Sequence, residues 1–254
     1  MEMMYRIFII FLLLICFYNV TFALEKPEYD LYTQLCMKPG IYFDNLSDIN
    51  KIITENGFPA IESEHVYYIG FNYASNHFPF PFYHIPNIFI SLDVRIPFER
   101  TIENGNKSTS LKTYSFFLEL EGFHDLINNI AIYPIIGLGC SITHLDLRKD
   151  SLIEFKDFLS NPGNSRFTKF NLLLNLGGGM DYKVNLAEDY MKKINLLFGL
   201  NIRYSLNLDV LGLYDKRWTS AGQYIDGLPE YHAPGLSIEM KVGIEKLEKI
   251  KKSN

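Results

Sequence analysis

Residues 166–186 read RFTKFNLLLNLGGGMDYKVNL, and residues 195–209 read NLLFGLNIRYSLNLD. In the first stretch Thr168, Phe170, Leu172, Leu174, Leu176, Gly178, Met180, Tyr182, Val184 and Leu186 alternate with Lys169, Asn171, Leu173, Asn175, Gly177, Gly179, Asp181, Lys183 and Asn185. In the second, Leu196, Phe198, Leu200, Ile202, Tyr204, Leu206 and Leu208 interleave with Asn195, Leu197, Gly199, Asn201, Arg203, Ser205, Asn207 and Asp209. Side chains of a strand point to opposite faces in turn, so each segment has one apolar and one polar face. Both runs exceed the usual strand of about five or six residues. They reach the roughly 9–11 residues that a tilted membrane-spanning strand requires.

The same alternation recurs along the chain. Residues 31–43 form a first strand, which Pro39-Gly40 is expected to break. Residues 44–56 read as a short helix in which Leu46, Ile49 and Ile53 share a face; Asp44, Asn45 or Ser47 can cap it and Gly57 ends it. Its apolar face suits the mouth or wall of the sheet. Strands follow at 65–75, 87–98, 111–123, 129–145 and 236–247. Residues 101–110 read as a polar loop around Asn104-Gly105, and residues 124–128 as a tight turn. Pro134 is expected to force an edge or a bulge in its strand. From residue 101 onward the connections alternate long and short, as expected of a barrel with short turns at one end and longer loops at the other.

Composition narrows the class. The 254 residues carry a net charge of −5 with no clustered basic face, so no nucleic-acid partner is expected. Aromatic residues make up 15%, as 20 Phe, 17 Tyr and one Trp, and these suit strands and membrane boundaries. Arg6, the apolar run 7–18 and Thr21-Phe22-Ala23 read as an export signal cleaved after Ala23. Residues 1–23 are therefore a signal peptide, 24–30 a tether, 31–247 the β domain and 248–254 a tail. Ile15 occupies the place where a lipid-attachment motif at Cys16 wants a small residue. Cys36 and Cys140 remain, too few for a disulfide framework, and Cys140 lies on an apolar strand face as a buried free thiol.

Alternation alone also fits a soluble sandwich whose apolar faces meet. Strand length, a polar face rich in glycine (Gly137, Gly139, Gly177, Gly179, Gly199, Gly243) and the export signal favour a membrane barrel instead. On these residues, and most typically on 175–184 and 199–208, the chain resembles the small bacterial outer-membrane β-barrel family, the eight-stranded OmpA/OmpX-like type. The resemblance covers residues 31–247. It implies an all-β, antiparallel, up-and-down transmembrane β-barrel of about eight strands, here with one short N-terminal helix. It further implies outer-membrane lipid and the barrel-assembly machinery as partners, and an outer-membrane location. Such chains usually finish on a strand with a terminal aromatic; here Leu247 is followed by Glu248, Lys249, Ile250, Lys251 and Lys252.

An eight-stranded barrel is wide enough only for its own side chains. Asp93, Arg95, Glu119, Glu121, Lys169, Asp181, Lys183, Arg203, Asp209, Glu239, Lys241 and Glu245 are expected to face the lumen, seven acids against five bases. Charges withdrawn from water must pair, so the mixture predicts an ion-paired filling and not a selective pore. Gly177-Gly178-Gly179 lacks the Lys-Ser/Thr of a phosphate loop. His124, His144 and His232 lack metal-ligand spacing, and nothing in the spacing of Ser220, Glu230 and His232 supports a catalytic set. No cofactor, metal or catalytic residue is expected. Tyr214, Trp218, Tyr224 and Tyr231 in the 210–234 loop are candidates for contact with an external ligand or protein. The reading is a barrel with a structural or surface-interaction role. The alternatives are a barrel that carries or modifies an apolar or lipid ligand, and an exported soluble β-sandwich that binds a partner.

Overall fold

A computed structural model describes residues 31–62, 65–76, 88–122, 124–127, 129–149, 164–208, 217–229, 231 and 235–249. The signal peptide, the tether and residues 250–254 of the tail lie outside them. The strands are β1 (Leu31–Phe43), β2 (His65–Ser75), β3 (Ile88–Pro97), β4 (Arg100–Asn104), β5 (Lys107–Gly122), β6 (His124–Ile127), β7 (Ile130–Lys149), β8 (Asn164–Glu188), β9 (Lys192–Asn207), β10 (Trp218–Ser220), β11 (Gln223–Ile225) and β12 (Leu236–Glu248). One helix, α1 (Ser47–Glu55), follows β1. Antiparallel pairing runs β1–β2–β3–β5–β7–β8–β9–β12, and β12 pairs back onto β1, so eight strands close with no open edge. The chain is an all-β antiparallel barrel.

The alternation decides which side is inside. Leu200, Ile202, Met240, Leu118 and Leu138 are exposed on the outer wall, whereas Lys169 and Arg203 are buried within. The greasy rows do not meet across stacked sheets, so the soluble sandwich is ruled out. A continuous apolar wall of this extent belongs in lipid.

Several local expectations are corrected. Pro39-Gly40 does not break β1. Pairs on either side, Met37↔Val242 and Gly40↔Glu239, keep one register, and Pro39↔Ile69 continues the ladder to β2. A Cβ on residue 40 would lie 2.7 Å from the Tyr68 ring, so the glycine admits that inward tyrosine. Pro134 makes no bulge either: it pairs with Gly178, and its other side faces the junction where β5 ends and β6 begins. A missing N–H is cheapest at such an interruption. Residues 124–127 are a short strand on β7, with a register shift between Asp125 and Ile127, and not a tight turn. The polar 101–110 loop is the hairpin β4–β5, turning at Gly105 with φ +61°.

Helix α1 begins later than expected: its N-cap position is Leu46, which offers no side-chain acceptor, and Asn45 Oδ1 just before it accepts from the Ser47 N–H at 3.2 Å. Strands β5, β7 and β8, of 16, 20 and 25 residues, rise beyond the shorter β1, β2 and β12. Their extensions, with α1 and β10–β11, form a cap at one end.

Lumen glycines make room for long neighbours. A Cβ at Gly177 would sit 2.9 Å from Arg203 Cγ, and one at Gly137 2.7 Å from Glu119 Cγ. At the outward Gly178 the nearest atom is 3.4 Å away. Gly177→Val is therefore expected to destabilise the barrel by about 1–3 kcal/mol through overpacking, while the adjacent Gly178→Val leaves it nearly unchanged. Urea unfolding in detergent micelles measures the difference; equal midpoints would contradict this packing.

Candidate functional site

The interior is a stack of charged clusters. Among the described residues the inward face holds Asp93, Glu119, Glu121, Asp181, Glu239 and Glu245 together with Lys38, Arg95, Lys169, Lys183, Arg203 and Lys241, six acids and six bases. Eleven of these are buried and Lys183 is 13% exposed. Asp209 lies outside the described residues. Lys38 was hidden from sequence reasoning by the supposed break at Pro39; its period-2 spacing from Gln34 and Cys36 is the signal that reveals it.

Arg203, from β9, sits at the centre. It pairs with Asp93, with Glu119 at 3.1 Å and with Glu239 at 3.1 Å, joining strands from three sides of the barrel. Arg95 adds a 3.0 Å contact to Glu239 and stacks 4.6 Å over the Phe117 ring. Lys38 lies 3.6 Å from Asp93 and 4.0 Å from Glu121. Neutral donors complete the shell: Tyr68 Oη donates to Glu239 at 2.5 Å, Asn175 Nδ2 to Glu119 at 2.6 Å and Ser91 Oγ to Glu121 at 2.8 Å. Charge-assisted bonds of this kind offset the loss of hydration.

Two further clusters lie toward the end where β1 begins and β12 ends. Lys241 Nζ donates to Asp181 at 2.8 Å, to Gln34 Oε1 at 3.1 Å and to Tyr133 Oη at 3.1 Å. Beyond it Glu245 accepts from Gln34 Nε2 at 3.0 Å and from Asn195 Nδ2 at 2.7 Å, with Lys183 at 3.4 Å. Ala74, Phe89, Ala131, Tyr133 and Ile135 pack as an apolar floor.

At the opposite end the inward residues turn apolar. Leu111 and Leu145 from the tall strands pack with Leu46, Ile49, Ile53 and Ile61 around α1, and with Trp218 and Tyr231. Asp44 Oδ2 accepts from Arg100 Nη2 at 2.6 Å, and its Oδ1 accepts from Tyr231 Oη at 2.8 Å. Tyr231 Oη also lies 3.3 Å from Thr113 Oγ1. Burial pushes the Asp44 carboxyl above its ordinary range, opposed by the Arg100 charge and the Tyr231 hydrogen bond. Burial, reinforced by the Asp44 charge, likewise pushes the Tyr231 hydroxyl well up.

The loop aromatics therefore divide. Trp218 and Tyr231 point into the cap, while Tyr224 is 56% exposed with the Arg217 guanidinium 4.4 Å from its ring centre. Tyr214, Glu230 and His232 lie outside the described residues. Ser220 ends β10, and His144 faces Thr168 on the outer wall at 3.0 Å. Gly177–Gly179 lie mid-strand. Cys36 is buried toward the lumen; Cys140 is half-buried on the outer face and also free. Among the described residues no group of three or more His, Cys, Asp or Glu could hold a metal ion.

Removing Arg203 takes the central guanidinium from three buried carboxylates, of which Asp93 keeps Lys38 and Glu239 keeps Arg95. Arg203→Ala is expected to cost about 3–5 kcal/mol of barrel stability, the usual penalty for breaking a buried pair. Arg217→Ala, which removes an exposed pair to Asp226 at 3.8 Å, should cost about 0–1 kcal/mol. Thermal unfolding in detergent distinguishes them, and similar midpoints would argue against a paired interior.

No protein-family model matches the chain, and no curated protein matches it in sequence. Solved structures do. Neisserial surface protein A aligns over 86% of this chain and 97% of its own at 10% identity, TM-score 0.39. Ail, the attachment invasion locus protein of Yersinia pestis, aligns over 87% and 100% at 8% identity, TM-score 0.41. A major outer membrane protein from Thermus thermophilus aligns over 85% and 99% at 11% identity, TM-score 0.41. The barrel assignment itself stands on the closed strand ladder and the outward apolar wall of this chain. The chain is a closed, eight-stranded, antiparallel membrane-type barrel, similar in fold to these small surface and outer-membrane proteins.

Proposed function

We propose that the chain is an outer-membrane barrel whose interior is filled by its own side chains, with a structural or surface-interaction role and not that of a wide pore. The observation that carries this reading is the balanced inward face, six acids and six bases among the described residues, with apolar clusters toward either end. A conducting filter would show a ring of one sign around water. Outer-membrane lipid is the partner of the exposed wall, and the barrel-assembly machinery inserts it. Among the described residues of the 210–234 loop, Tyr224 beside Arg217 is the exposed aromatic that an external ligand or protein would meet. An exposed aromatic beside an arginine is a favourable start for such a contact.

Cell fractionation is expected to place the protein with the outer membrane, needing detergent for extraction. Its gel mobility should differ before and after boiling. In planar lipid bilayers the refolded protein is expected to add no stable conductance steps. Extraction without detergent would overturn the location, and regular large openings would overturn the filled interior.

A further inference from the structure

The inward faces of the tall strands change character at one level. Thr113 and Thr143, 3.0 Å apart, are the last polar pair; above them Leu111 and Leu145 point inward instead. A mouth filled with water would not select leucines there. They are covered by Ile49 and Ile53 of α1 and by Trp218, all of them buried.

The covering pieces are weakly autonomous. A nine-residue helix whose N-cap position offers no side-chain acceptor is marginal by itself, so its docking stabilises it. The β10–β11 hairpin joins the barrel ladder at a single residue pair, Thr219↔Thr168. Trp218 donates to Pro229 within its own loop at 2.9 Å. Asp44 is where three segments meet: the β1–α1 junction, Arg100 of β4 and Tyr231 beside β12.

We propose that α1 with the Trp218 hairpin is a lid that docks on the barrel mouth as a unit separate from the barrel, with Asp44 as its clasp. Closed, it occupies an apolar seat lined by Leu111 and Leu145 over the Thr113–Thr143 floor. Released, it uncovers that seat while the charged stack below stays intact. The two units are held by different forces: the lid by apolar packing and a few polar ties at its rim, those of Asp44, of Lys107 Nζ to Gly57 O at 2.9 Å and of Thr219 Oγ1 to Thr168 O at 3.1 Å, the barrel by a closed ladder and buried ion pairs. They therefore open at different cost.

Trp218 is the chain's single tryptophan and reports the lid directly. In the refolded full chain, a urea titration is expected to expose Trp218 to acrylamide well before strand circular dichroism and the unboiled gel band are lost. In Asp44→Ala, quenching of Trp218 without denaturant should rise several-fold while both barrel signals persist. A single coincident transition in the wild-type chain would overturn the proposal. So would a Trp218 in Asp44→Ala as protected as in the wild type. The wild-type titration decides the matter even where that variant does not refold.

Discussion

Burial of charge inside a narrow barrel governs everything else in this molecule. Arg203 alone touches Asp93, Glu119 and Glu239, which are contributed by β3, β5 and β12. None of these groups has bulk water to return to, so each must keep its partners wherever the backbone places it. A register slip by one residue on β1, β3, β5, β8, β9 or β12 would turn a buried charge outward into lipid and an apolar residue inward among ions. The network thus specifies strand order and register even where it adds little net stability.

Space is the second constraint, and it follows from the first. Twelve charged side chains, with Tyr68, Tyr133 and Phe117, lie on the inward face of a barrel only eight strands around. The glycines on the inner face lie beside the bulkiest of them: Gly137 under Glu119, Gly177 under Arg203 and Gly179 under Tyr133. Small residues and large ones are complementary surfaces of one packing problem. Closure at the two ends is apolar, by the Phe89–Tyr133 floor and the α1–Trp218 cap.

The positions that misled sequence reasoning share a cause. Pro39 and Pro134 look like breakers because a proline lacks an N–H, yet each sits where the ladder tolerates the loss. Accepting the break at Pro39 removed Lys38 and Gln34 from the expected interior, although both lie in its polar network. Residues 101–110 look like a loop because they are polar around the turn pair Asn104-Gly105, but pairing with β5 and β7 makes strands of the flanks of that turn. The loop aromatics carried no marker of direction: Trp218 turns inward and Tyr224 outward, set by where α1 docks.

Sequence by itself determined the wall. The period of two over stretches such as 168–186 and 195–209 states which residues share a face, because strand geometry leaves no third choice; that the apolar face looks outward was decided by closure of the sheet. Eleven of the charges on the polar face are described, ten of them buried and Lys183 13% exposed. Partnership was decided only by closure. Arg203 and Asp93 are 110 residues apart and Lys241 and Gln34 are 207 apart, so no local pattern can pair them. The cap was likewise decided in three dimensions, since Asp44 acquires Arg100 and Tyr231 only once β1, β4 and the last loop converge on one rim.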